Sequence, residues 1–280
     1  MYNQTLRQLI KDRQSVLCVG LDSVYEKLPA CVKNEAAPQW IFNRAVIDAT
    51  HDLVCSYKIN YAFYAARGAK GIEAVKQSIH AAHAYGVPVI LDVKWGDIGH
   101  TAEYYAMSAF DELEADAVTL NPYMGEDAIA PFRKYAERGS YILCFTSNSS
   151  RRDLQTKQVV SEPGEKTQPL YEVVAEKIRK WNTSGNLGAV VGATAPEELE
   201  TVRAILGPDA SILCPGVGVQ GGDLEDVLYA GGAENHNLVI NVSRAIINAS
   251  PGDDFDEAAR REAQMFADQS RNFFNRPIED

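Results

Sequence analysis

Short apolar runs alternate along this chain with longer stretches in which apolar residues recur every three or four positions. The runs lie at 16–21, 56–59, 88–92, 117–120, 141–145, 187–191, 211–214 and 238–242. They are continuously apolar rather than alternating, the pattern of strands buried on both faces. Helical spacing fills the stretches between them, at 40–52, 71–85, 101–112, 126–137, 170–181, 196–206 and 224–230, with another at 255–274 after the last run. An additional helix is predicted over 1–13, before the first strand. Strands that each lead into a helix argue for a parallel sheet covered by helices. Eight such units favour an α/β architecture closed into a (β/α)8 TIM barrel over an open doubly wound sheet.

Length agrees with that pattern. The chain has 280 residues, and a barrel of this kind takes roughly 250. Two domains remain open on length alone, but no break in composition marks a second, so 1–280 is read as a single domain. Irregular structure is expected at 26–38, 149–169 and 249–254. The middle segment is the longest and carries Arg151, Arg152, Lys157 and Lys166, so it reads either as a binding loop or as a tolerated insertion.

Charge and cysteine usage narrow the partners. Lys and Arg number 27 against 38 Asp and Glu, a net charge of −11. That disfavours a nucleic-acid or anionic-membrane surface, yet still allows an anionic small ligand at a local basic cluster. Of the five cysteines, Cys18, Cys55, Cys144 and Cys214 fall in or beside apolar runs, and no CxxC occurs. They read as buried reduced thiols, which suits the cytoplasm. The first residues have no apolar signal core, and no run approaches the roughly 20 apolar residues of a membrane span.

In a parallel barrel, chemistry gathers at the C-terminal ends of the strands. Two groups of polar residues fall there. The first is Lys58 at the second strand with Asp92, Lys94 and Asp97 at the third, in VILDVKWGDIGHTA. Asp92 and Lys94 are two apart, so on a regular strand they share a face. Singly, Lys58 reads as a snorkelling strand end, Asp97 as a helix N-cap, and Asp92 with Lys94 as a structural ion pair. Their convergence on one rim favours a functional site. The second group follows the last two strands: PGVGVQGG, with Gly218 and Gln220, and then Ser243 and Arg244. Glycine turns and backbone N–H groups beside a guanidinium suit a phosphate dianion, although turn geometry and a surface ion pair would also explain them. The five histidines are scattered, so no metal site is expected, and no P-loop, GxSxG elbow or dinucleotide fingerprint is present.

These segments together resemble the orotidine 5′-phosphate decarboxylase family, in its longer bacterial type. The resemblance rests on DxKxxD in LDVKWGDIGHTA, Lys58 in SYKINYAFY, PGVGVQGGD and NVSRAI, with LCFTSNSS and PLYEVVAEKI beside them. It implies conversion of orotidine 5′-phosphate to UMP and CO2 without metal or cofactor, in a homodimer with shared active sites. Lys58, Asp92, Lys94 and Asp97 would form the catalytic network, with Lys94 as proton donor. Asp97 and Thr101 would serve the neighbouring subunit's site. Asp22 and Lys58 would hold ribose hydroxyls, and Ser147 would meet the pyrimidine edge. Gln220 would bridge base and phosphate, and Arg244 with backbone near Gly218 and Ser243 would clamp the phosphate.

DxKxxD alone also occurs in Mg2+-dependent keto-sugar-phosphate decarboxylases and aldolases of the same barrel group. Lys58, where those relatives typically place a carboxylate, weighs against that alternative. A non-catalytic barrel that binds a phosphorylated ligand is disfavoured by the intact charged set. Ser149-Ser150, Ala65 and His100 depart from the family pattern, and none of the three removes a chemical group from the expected site.

Overall fold

A computed structural model describes residues 1–160, 167–218 and 222–276. Each of the eight apolar runs forms a strand: β1 Leu17–Gly20, β2 Ser56–Asn60, β3 Val89–Trp95, β4 Ala117–Leu120, β5 Gly139–Phe145, β6 Leu187–Val191, β7 Ile212–Pro215 and β8 Leu238–Val242. They close into a barrel in sequence order, with β1 pairing both β2 and β8. Every pair in the barrel is parallel. The helices Leu170–Trp181, Pro196–Leu206, Leu224–Ala230 and Phe255–Phe274 stand where their periodicity puts them. Helices Pro38–Thr50 and Ala69–Ala84 begin two residues earlier than their apolar repeat.

The N-terminal helix Tyr2–Arg13 stoppers the lower mouth of the barrel. Leu6 and Ile10 are fully buried, and the Tyr2 hydroxyl meets that of Tyr141, which also meets Ser211 Oγ, each at 2.8 Å. A Cβ on Gly139 would lie 2.4 Å from the Tyr2 ring, so the first residue of β5 must be glycine for the stopper to seat. With this end closed, the opposite mouth is left for a ligand.

Three expectations need correction. The helix predicted over 126–137 is instead a 3-10 turn, Glu126–Ala128, and a short helix, Ala130–Arg133. Pro131 lacks an N–H and restricts Ala130, which stops the helix from running through. The segment 149–169 is not wholly irregular: it opens with the 3-10 turn Ser149–Asp153, and Gln158–Val159 pairs antiparallel with Gln168–Pro169. Short helices Ala30–Lys33, Ala62–Ala65 and Arg244–Ile247 are too brief for a periodicity to register. Among the described residues no helix is long and apolar enough to cross a membrane.

Candidate active site

At the C-terminal mouth, a cavity of about 220 Å³ is lined by Asp22, Lys58, Asp92, Lys94, Ser147, Ser243 and Arg244, among others. Residues from β1, β2, β3, β5 and β8 or the turns after them thus reach one space, as the barrel geometry requires.

Lys58 is the pivot. It is 3% exposed, and its Nζ lies 3.2 Å from Asp22 Oδ1 and 3.3 Å from Asp92 Oδ2. Burial alone pulls the Lys58 ammonium down, but Asp22 and then Asp92 more than offset this, and it is held charged, above its usual range. Asp92 is buried too, yet Lys58 and Lys94 and the hydrogen bonds from Lys94 and Thr119 bring its carboxyl down to about 2. Its Oδ1 accepts from Lys94 Nζ at 2.5 Å and from Thr119 Oγ1 at 2.8 Å. The buried Lys58 and Asp92 are therefore compensated in a place where an isolated charge would be prohibitive, with the partly buried Asp22 and the exposed Lys94 as their partners. Asp22 is tied across the barrel seam as well, accepting at Oδ2 from Ser243 Oγ at 2.8 Å.

Asp92 and Lys94 do meet, but not by regular strand alternation. The β3–β4 ladder shifts register between Leu91 and Trp95. Lys94 has φ 51°, a left-handed backbone that costs a non-glycine residue roughly 1–2 kcal/mol. Its N–H donates to Thr119 Oγ1 at 2.9 Å. Thr119 therefore holds both the backbone of Lys94 and the carboxylate of Asp92, and sequence reading missed it. It is the one polar residue of AVTL, the buried strand β4, which was its available signal.

The second rim differs. Arg244 starts the short helix after β8, lines the cavity and is exposed, and among the described residues it has no ion-pair partner. Gly218 has φ 83°, a conformation suited to glycine, and a Cβ there would stand 3.9 Å from Ala245. Gly218 thus lies beside Ala245, the residue after Arg244. Gln220 lies outside the described residues. On the β5 side, Thr146 is gripped before Ser147: its N–H donates to Gln155 Oε1 at 2.9 Å and its carbonyl accepts from Arg151 at 3.0 Å. Arg151 also reaches Thr194 Oγ1 at 3.1 Å and lies over the Phe145 ring at 4.5 Å. A Cβ on Gly192 would stand 2.8 Å from Ser147 Cα, so the β6 turn has to be glycine where Ser147 passes.

Asp97 and Thr101 do not join this cavity. Among the described residues Asp97 Oδ1 accepts only from the adjacent Ile98 N–H, at 2.8 Å, and it does not cap the helix Gly99–Met107. Thr101 is exposed on that helix. Of the three departures from the family pattern, Ala65 and His100 are also exposed, and Ser149-Ser150 open the 3-10 turn after Ser147. Four of the histidines are engaged elsewhere: His83 pairs with Asp116 at 2.7 Å, His80 with Glu114 at 3.5 Å and His100 with Glu103 at 3.2 Å, while His51 stacks on Tyr85. No group of three His, Cys, Asp or Glu side chains is arranged to hold a metal ion among the described residues. All five cysteines are free, and only Cys31 is exposed.

Comparison with known proteins places the chain in a family. Residues 15–261 match the family described as Orotidine 5′-phosphate decarboxylase / HUMPS. The orotidine 5′-phosphate decarboxylase of Herpetosiphon aurantiacus is 46% identical over 95% of this chain and 96% of its own length. That of Azoarcus sp. is 48% identical over 94% of this chain and 96% of its own. Among solved structures, the OMP decarboxylase of Leishmania donovani superposes with a TM-score of 0.80 at 38% identity, covering 97% of this chain and 98% of that one. The chain belongs to the orotidine 5′-phosphate decarboxylase / HUMPS family.

Proposed function

We propose that this protein decarboxylates orotidine 5′-phosphate to UMP and CO2, the final step of UMP biosynthesis. The observation that carries the reading is the compensated Asp22–Lys58–Asp92–Lys94 array facing Arg244 across one cavity, in a chain that matches decarboxylases of that name over nearly its full length.

Cleavage of the bond from C6 to the carboxylate leaves an electron pair in the ring plane, where no π system takes it up. The developing charge has to be met by fixed charge nearby. Lys94 is the group for this: its ammonium would face C6, deliver a proton there as CO2 departs, and be reprotonated from solvent. Asp92 would hold Lys94 and stand beside the leaving carboxylate. Asp22 and Lys58 would bind ribose hydroxyls, and Ser147 the pyrimidine edge. Arg244, with backbone N–H groups near Gly218 and Ser243 and with Gln220, would clamp the phosphate. Binding energy from that remote dianion can then be used to order the reacting groups.

The same array argues against the Mg2+-dependent sugar-phosphate reading. A divalent cation between Asp22 and Asp92 would compete with the Lys58 ammonium already bonded to both. We also propose a homodimer in which Asp97 and Thr101 complete the neighbouring site. They lie outside their own cavity, on a segment that exposes Ile98, Tyr104 and Met107, an apolar surface suited to a second copy of this chain. The deciding assay is the absorbance change on incubating orotidine 5′-phosphate with the protein and EDTA. Turnover at the rate seen with added Mg2+ is expected. Activity that appears only with Mg2+ would overturn the metal-free reading.

A further inference from the structure

Asp22 is flanked by a buried polar cluster that lies outside the cavity. Tyr64 is in the short helix Ala62–Ala65 directly after β2 and is fully buried. Its hydroxyl donates to the Leu21 carbonyl and accepts from Ser23 Oγ at 3.0 Å and Asn43 Nδ2 at 2.7 Å. A phenol has one proton and two lone pairs, so these partners use its full capacity. Burial pushes the Tyr64 phenol up, which keeps it a donor near neutral pH.

The cluster extends in both directions. Asn43 Nδ2 also donates to Ser78 Oγ at 2.9 Å, on the helix Ala69–Ala84. Gln39 Nε2 donates to the Ser23 carbonyl at 2.8 Å, and the Leu21 N–H to the Lys58 carbonyl at 2.7 Å. Tyr64 itself is pressed in place: a Cβ on Gly71 would lie 1.9 Å from its carbonyl oxygen. Residues 21 and 23 are thus fixed on both sides of Asp22, and only the Asp22 side chain turns into the cavity.

We infer that Tyr64 is a positioning residue for the decarboxylation, acting through Leu21 and Ser23 to set how Asp22 presents its carboxylate to Lys58 and to the substrate's hydroxyls. The inference rests on the decarboxylase reading above. A buried hydroxyl with three partners cannot be removed without leaving groups unpaired, and two of them, the Leu21 carbonyl and the Ser23 hydroxyl, belong to the residues on either side of Asp22.

The test is a double-mutant cycle of Tyr64→Phe with Asp22→Asn, read by steady-state kinetics on orotidine 5′-phosphate and by UMP binding. Tyr64→Phe keeps the ring and should raise KM about tenfold with a smaller change in kcat. In the Asp22→Asn background the same substitution should change KM by less than about twofold, because the group it acts through is gone. Equal factors in the two backgrounds overturn the inference, since a hydroxyl that only supports the fold acts whatever stands at position 22. An unchanged KM in Tyr64→Phe overturns it as well. If Tyr64→Phe does not fold, the cycle is run with Ser23→Ala, which removes one donor and no ring; additive effects there have the same meaning. A wild-type protein without turnover would refute the decarboxylase reading, whereas an active one with an additive cycle refutes only the role of Tyr64.

Discussion

The two rims of the cavity are built on opposite plans. On the β2–β3 side, each charge is already matched: Lys58 by Asp22 and Asp92, Lys94 by Asp92, and Asp92 by Thr119 as well. On the β7–β8 side, Arg244 is exposed and has no ion pair among the described residues. The first rim is complete without a ligand and the second is completed by one. Groups that meet charge developing in a transition state gain from being fixed beforehand. A group that recruits the substrate gains from offering an unmatched charge. We propose on this comparison that the Asp92–Lys94 pair serves rate and Arg244 serves affinity for the phosphate, while Asp22, within the matched rim, serves affinity for the ribose hydroxyls.

The largest effect should come from the matched rim. Lys94→Ala is expected to lower kcat by roughly 10⁴-fold or more, since it removes both proton donor and fixed charge. UMP binding should remain measurable, and substantial turnover in this variant would refute the assignment. Mixing Lys94→Ala with Asp97→Ala sharpens it further. If a partner subunit supplies Asp97, mixed dimers contain one site with both native residues, and activity returns on mixing. A mixture as inactive as its components would rule out the shared site.

Arg244→Ala should act next, and differently. Loss of a charged hydrogen-bonding group should weaken substrate and UMP binding by about 10- to 100-fold, and added guanidinium should recover part of it. A loss confined to kcat, with KM unchanged, would erase the division between the rims.

The smallest effect concerns stability in acid. Lys58 and Lys94, against the cost of burial, bring the Asp92 carboxyl down to about 2, whereas the unfolded chain's is about 3.9. A depressed carboxyl contributes stability that is present above the unfolded value and lost as pH falls through the folded one. Between about pH 5 and about pH 2, therefore, denaturant midpoints should fall, and they should fall less steeply in Asp92→Asn. Arg244→Ala should leave that slope as it is. A steeper slope in Asp92→Asn would contradict the compensated array.

Strands were legible in the sequence because a doubly covered parallel strand has to be apolar throughout, so eight runs such as LCVG and LVINV announce themselves. The polar residues that follow those runs were legible for the same reason, as Lys58 and Asp92 show. What stayed hidden depends on backbone detail. The left-handed turn at Lys94 follows from a ladder shift that no residue type signals, and Thr119 matters only once that shift has aimed the Lys94 N–H at it. The loss of the helix over 126–137 was readable at Pro131, whose missing N–H outweighs an apolar repeat. Asp97 and Thr101 show another limit: both lie outside the cavity of their own chain, and one chain does not show what they meet.

The contact between Gly20 and Ser243 reaches beyond catalysis. Ser243 Oγ, whose proton goes to Asp22, stands 3.0 Å from the Gly20 carbonyl across 223 positions of sequence, and a Cβ on Gly20 would stand 2.8 Å from Ser243 Cβ. Here the first and last barrel strands zip together, with Cys18 opposite Asn241 and Val19 opposite Val242. The seam closes a loop of nearly the whole chain, among the slowest kinds of contact to form. A chain that stops short of β8 leaves β1 without its second neighbour and Asp22 without the Ser243 hydroxyl. Any fragment ending before Ser243 therefore lacks both this seam and the Arg244 guanidinium, and should bind UMP at least as weakly as Arg244→Ala.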